Sequence, residues 1–287
     1  MEDGEGAGHA GARPHRGVLV NRVDAHEFRG YRSIDRTSSI ALMPTVEFAV
    51  EDGIAQIRLN RPERLNAVAA VLVDDFLAAL DAAARSDARV VVLSGNGRAF
   101  CAGHDLKEPT PAGDSRARLD RLQDVTRRLR GLRQPVIAAV HGYAIGAGAE
   151  FALGCDLILA AEDAVFAFPE VSLGLSVTGA ASRLLPLLVG PLKAKELLLL
   201  GERFDGRKAA ELGMVNAAVP AEQLQAEALS WAKRIAEHPP AAAAMAKRVL
   251  DTPIDVEPAL ELEVSHALIT EHSAAVAAST EAFRSRA

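Results

Sequence analysis

From residue 46 onward the chain changes its hydrophobic period several times, and each change marks an element. "VEFAV" (46–50) and "IAQIRLN" (54–60) alternate apolar and polar residues on either side of "EDG". A period of two flanking a tight turn predicts two strands joined as a hairpin. "NRPERLNAV" (60–68) breaks the alternation and predicts a loop leading into a helix. "AAVLVDDFLAALDAAARS" repeats apolar residues at spacings of three and four, which predicts an amphipathic helix. "RVVVLSG" (89–95), "VIAAV" (136–140) and "DLILA" (156–160) are short apolar runs, the pattern of strands covered on both faces. Strands alternating with helices between residues 70 and 160 predict a parallel sheet in an α/β unit. Beyond residue 178 the strand signals nearly vanish. "PLKAKELLLLG", "EQLQAEALSWAKRIAEH" and "PAAAAMAKRVL" read as helices, and the tail from Pro258 reads as two more. The expectation is an α/β core over 43–205, then a helical region over 206–287 that packs on the core or on a neighbouring subunit.

Composition narrows the function classes. Apolar residues make up 49% of the 287, enough for a sizeable core. The net charge of −6 weighs against nucleic acid as a partner. The two cysteines, Cys101 and Cys155, form no CxxC and suit free thiols in a reducing cytoplasm. No histidine or acidic spacing suggests zinc or calcium, and no metal is expected. No apolar run reaches the roughly 18 residues of a membrane span, so no membrane partner is expected. Residues 1–42 show no apolar period and no apolar h-region, and they hold as many acids as arginines. The expectation is a disordered or non-native extension, with translation starting naturally at Met43. An N-terminal peptide from residues 2–30 in the native protein would overturn that start.

Three stretches carry candidate chemistry. "SGNGRAFCAGHDLKE" (94–108) is a glycine-rich loop at a strand end. It reads as an ordinary loop with a buried cysteine, as a Cys101–His104 nucleophile and base, or as a loop whose N–H near His104 donates to a substrate oxygen. "HGYAIGAGAE" (141–150) opens a helix with small residues and then places Glu150 before an apolar run. Free N–H groups at a helix start favour negative charge, either the side chain of Glu150 facing water or a substrate oxyanion. Glu170, after "FAF" and a proline, is again a lone acid among apolar residues. It is either a surface glutamate at a loop start or the partner of Glu150. Paired carboxylates in a dry site have their pKa values pushed apart, so one gives a proton while the other takes one.

These stretches resemble the crotonase superfamily, the enoyl-CoA hydratases and isomerases. The resemblance spans roughly residues 45 to 285 and rests on "NRPERLNAV", "SGNGRAFCAGHDLKE", "QPVIAAVHGYAIGAGAEFALGCDL" and "FAFPEVSLGL" in that order. It implies an α/β fold with a repeated ββα spiral core and a helical C-terminal trimerisation region, assembled as a homotrimer or a dimer of trimers. It implies an acyl-CoA substrate, no permanently bound cofactor, and a place in fatty-acid or related acyl-CoA degradation. The backbone N–H groups of His104 and Ala147 resemble the oxyanion hole, and Glu150 and Glu170 fall where hydratases carry both catalytic glutamates. Arg64, Ala67 and Lys107 lie in segments resembling those that contact CoA. The implied reaction is hydration of a 2-enoyl-CoA. Double-bond isomerisation, another crotonase-type reaction, or a non-catalytic acyl-CoA or RNA-binding module are the alternatives. Two departures stand out: Gly146-Ala147-Gly148 where many members have three glycines, and "VTGAASRLL" where "PGAGGTQRL" is common.

Overall fold

The alternating and apolar runs form one seven-stranded sheet. In the computed structural model, which describes residues 39–107, 115–252 and 256–271 with isolated positions beyond, the sheet begins with β1 (Ser39–Met43), β2 (Val46–Glu51) and β3 (Ile54–Leu59). These three pair antiparallel, and β3 then pairs parallel with β4 (Val90–Gly95). Between them α1 (Ala70–Arg85) buries Leu72, Val73, Phe76, Leu77, Leu80 and Ala83, the stripe its spacing predicts. Next come α2 (Ser115–Gly131), β5 (Val136–Val140), β6 (Tyr143–Ile145), α3 (Ala147–Leu153), β7 (Leu157–Ala161) and β8 (Val165–Ala167). β4, β5 and β7 run parallel in the main sheet, and every residue of β5 is buried. β6 leaves that sheet and pairs with β8 in a second, three-stranded one.

The rest of the chain is mostly helical, as expected: α4 (Ala181–Val189), α5 (Pro191–Leu200), α6 (Gly206–Glu211), α7 (Leu224–Ala236), α8 (Pro240–Asp251) and α9 (Val256–Glu271). Two boundaries move. β1 pairs with β2 from Ser39↔Val50 to Met43↔Val46, so residues 39–42 belong to the sheet and not to an extension ending at 42. Residues 1–38 lie outside the described residues. At the other end, β9 (Phe204–Asp205) pairs with β8, and β10 (Ala217–Val219) completes the main sheet on β7. The sheet therefore extends past 205 into the region expected to be helical. Strands of two and three residues are too short to show a period.

Asn66 locks the loop after β3 against the loop after β4. It is fully buried and in a left-handed conformation (φ 56°), and half-buried Leu65 beside it is left-handed too (φ 51°). Its Oδ1 accepts from Arg61 N at 2.8 Å, and its Nδ2 donates to Ala99 O at 2.7 Å and Asn96 O at 3.0 Å. Asn66→Ala removes all three bonds and keeps the strained backbone. It is expected to lower unfolding free energy by about 2 kcal/mol in urea titration.

Candidate active site

The loop after β4 and the turn before α3 run side by side. Cys101 N–H donates to Tyr143 O at 2.9 Å, and Ile145 N–H donates to Cys101 O at 3.1 Å. That is a parallel bridge of Cys101 with Ala144, and a Cβ on Gly103 would lie 2.7 Å from Ile145 O, so the segment entering His104 runs against the turn that enters Ala147. A Cβ on Gly148 would overlap the Cys101 carbonyl oxygen, so the first turn of α3 presses directly on this loop. On its other edge the loop bridges Val68: Val68 N–H reaches Gly103 O at 2.7 Å, and Asp105 N–H reaches Val68 O at 3.0 Å. These bonds use the groups flanking His104, leaving its own N–H on the opposite side. Ala147 is the first residue of α3, so its N–H has no carbonyl a turn back within the helix. Among the described residues neither N–H donates to a backbone oxygen.

Both glutamates are drawn to this point. Glu150, one turn into α3, is 1% exposed. Thr178 holds it from the loop before α4: Thr178 N–H donates to Oε1 at 2.6 Å and Thr178 Oγ1–H to Oε2 at 2.5 Å. Burial pushes its pKa up, the Thr178 bonds oppose that, and the charge of Glu170 adds to the rise. Glu170 opens the 3-10 turn after β8 and is also buried. Burial raises its pKa, opposed by its own N–H. Its Oε2 is buried without a hydrogen-bond partner. Gly146 makes room for it: a Cβ there would lie 2.7 Å from Glu170 Oε1, and its φ of 52° disfavours other residues. A buried acid without partners for one oxygen is an expensive group in a fold that does not use it.

The sign of that expense is testable. A carboxyl whose folded pKa is raised adds most to stability below its unfolded pKa, and that contribution is lost as pH rises through the folded value. Glu170→Gln removes the charge. It is therefore expected to raise Tm at pH 8, with the gain shrinking as pH falls below the raised folded value and gone once pH is below the ordinary carboxylate value.

The third group of predicted residues converges on Asp105, which sequence reasoning missed. Asp105 accepts from Arg64 at Nε (3.1 Å) and Nη2 (2.9 Å), from Arg61 Nη2 at 3.3 Å, and from Lys107 N–H at 3.2 Å. Its burial raises its pKa, but the Lys107 amide and the two arginines outweigh it and hold the carboxyl below its ordinary value. Arg61 Nη1 also reaches Ala67 O at 2.7 Å. Arg64, Ala67 and Lys107 are thus brought together, with the Arg64 fork engaged by Asp105 and Lys107 exposed. The aspartate follows His104 directly, and its position in a loop otherwise rich in small residues was the available signal.

The Cys101–His104 nucleophile reading fails. Cys101 is fully buried, and burial, opposed by a Gly103 backbone bond and reinforced by the Glu150 charge, pushes its thiol up to about 12. The thiolate is the nucleophilic form, and it is inaccessible there. His104 is exposed as a residue, yet partial desolvation and the nearby Arg118 cation lower its imidazole pKa.

A ββα core with one free amide at a helix start, a second on the loop packed against it, and two buried acids is the arrangement of a crotonase-type protein. Comparison with known proteins agrees. Residues 49–285 match the family Enoyl-CoA hydratase/isomerase, and the chain belongs to that family. A Mycobacterium bovis protein named "Probable enoyl-CoA hydratase echA6" is 38% identical over 200 residues, covering 70% of this chain and 79% of that protein. An enoyl-CoA hydratase structure from Bacillus anthracis superposes with a TM-score of 0.79 at 30% identity, covering 88% of this chain and 97% of that one. One from Mycobacterium smegmatis gives 0.78 at 32%, covering 85% and 97%. Among the described residues no helix is long and apolar enough to cross a membrane.

Proposed function

We propose that this chain is an enoyl-CoA hydratase that adds water across the 2,3 double bond of a 2-enoyl-CoA to give a 3-hydroxyacyl-CoA. The thioester oxygen sits between the His104 and Ala147 amides. Glu150 takes a proton from water as its oxygen bonds to C3. The double-bond electron pair moves toward the thioester oxygen, where the two amides stabilise the growing charge. C2 then takes a proton from Glu170. The observation carrying this reading is the pair of buried acids, close enough for one charge to be felt by the other, beside two unpaired amides. An isomerase needs Glu170 alone, whereas here Glu150 is also buried and held in place.

The CoA moiety carries phosphates, and exposed Lys107, with the Arg64 and Ala67 loop beside it, supports binding there. Exposed Leu260, Val264 and Leu268 recur at every fourth residue of α9, which supports packing against another copy in a homotrimer or a dimer of trimers. The buried, unbridged thiols of Cys101 and Cys155 suit a reducing cytoplasm. Assaying 2-enoyl-CoA and 3-enoyl-CoA esters of several lengths tests the reading. Loss of the 2-enoyl absorbance with formation of 3-hydroxyacyl-CoA is expected. Turnover of 3-enoyl esters alone would replace it with isomerisation.

A further inference from the structure

We propose that Thr178 is a positioning residue whose side-chain hydroxyl clamps Glu150 in its proton-accepting form and sets the acid limit of the hydration. The inference rests on the hydratase reading for its kinetic form only. Thr178 occupies the second position of "VTGAASRLL", where "PGAGGTQRL" has glycine. A glycine there could donate its N–H but not a hydroxyl. In this chain the N–H meets Oε1 at 2.6 Å and the Oγ1–H meets Oε2 at 2.5 Å, so one residue engages both oxygens of the carboxylate.

This two-point hold fixes the plane of the carboxylate. Each oxygen accepts one bond from Thr178, and an ionised carboxylate has about four acceptor sites. Acceptor sites therefore remain on the same group for a water to donate to. The clamp is itself braced: Gln123 Oε1, from α2, accepts from the next amide, Gly179 N–H, at 2.9 Å. The titratable groups that face Glu150 are Glu170, across the site, and Cys101, from the loop after β4. Neither supplies a positive charge. Cys101 stays a neutral thiol at working pH, and Glu170 disfavours a second negative charge. The Thr178 donors are therefore what opposes burial at Glu150, and the hydroxyl is the part of that opposition that a glycine would lack.

Thr178→Val removes the hydroxyl while keeping the branched shape and the N–H, and Thr178→Ser keeps the hydroxyl. With kcat/KM for a 2-enoyl-CoA measured against pH, the Val variant is expected to move the acidic limb toward higher pH. Its rate on the acid side should fall about tenfold, the effect of losing one charge-assisted hydrogen bond, with little change on the alkaline plateau. Thr178→Ser is expected to restore the limb. An unmoved limb in the Val variant, or a Ser variant displaced as far as Val, would overturn the clamp. If the wild-type protein hydrates no enoyl-CoA, the hydratase reading fails but the clamp is still measurable. The carboxyl infrared signal of Glu150, isolated as the difference between Glu170→Gln and Glu150→Gln/Glu170→Gln proteins, then titrates at higher pH when Thr178→Val is added. An unchanged titration would overturn the clamp by that route.

Discussion

Replacing either Glu150 or Glu170 by glutamine is expected to lower kcat for 2-enoyl-CoA hydration by roughly 10²–10⁴, with KM for the ester little changed. Glutamine keeps the volume of each side chain and removes only its ability to hold or release a proton. Both acids are buried, so neither contributes a surface charge that could steer substrate. Unchanged KM with a collapsed kcat is the mark of an interaction made in the transition state. The double replacement is expected to fall little below the worse single variant, because two groups acting on one substrate do not contribute additively. A Glu150→Gln enzyme with near-normal hydration would leave Glu150 a bystander and move the chemistry onto Glu170 alone. Steady-state assays of the three variants on one 2-enoyl-CoA separate these outcomes.

Replacing Lys247 by methionine is expected to give the largest loss of stability, about 3–5 kcal/mol. Lys247 lies on α8, and its side chain is 6% exposed. Its ammonium donates to Leu129 O at 3.1 Å and Gln134 O at 3.2 Å, and pairs with Asp156 Oδ2 at 2.8 Å. Asp156 in turn accepts from Val136 N–H at 2.7 Å, so one buried cation ties α8 to the end of α2, to β5 and to the start of β7. Burial raises the Asp156 pKa, and Lys247 is the main influence lowering it. Methionine fills similar space and leaves Asp156 without its cation and two carbonyls without a donor. The deficit should therefore grow as pH rises and Asp156 must ionise unpaired, and Asp156→Asn should recover part of it. Urea unfolding at pH 5 and pH 8 checks both points. A loss below about 1 kcal/mol at pH 8 would show that the buried pair contributes little beyond what packing supplies.

The sheet was legible where runs were long enough to show a period. β2 to β5, β7 and α1 each span at least five residues, and their burial follows the pattern of their side chains. β9 and β10 were not, because their pairing is imposed by neighbours already in place. Glu150 and Glu170 stood out as acids inside apolar runs, an anomaly that sequence preserves. Asp105, Asn66 and Thr178 did not. Each is a small polar residue in a loop, where such residues are ordinary, and each is distinguished only by partners elsewhere in the chain: Arg64, Ala99 and Glu150. What makes them matter is tertiary: a polar residue in a small-residue loop becomes a signal only once its partner is known. The departure at "VTGAASRLL" was the one visible sign of the Thr178 hydroxyl, and nothing in it named Glu150 as the acceptor.

Addition of water to an enoyl thioester by the two glutamates and the amide pair is the proposed chemistry. It is tested most directly by turning over a 2-enoyl-CoA in heavy-oxygen water and weighing the product. The expected product is a 3-hydroxyacyl-CoA carrying one heavy oxygen at C3. Recovery of the ester with an unchanged number of oxygens, unreacted or with only its double bond moved, would contradict it.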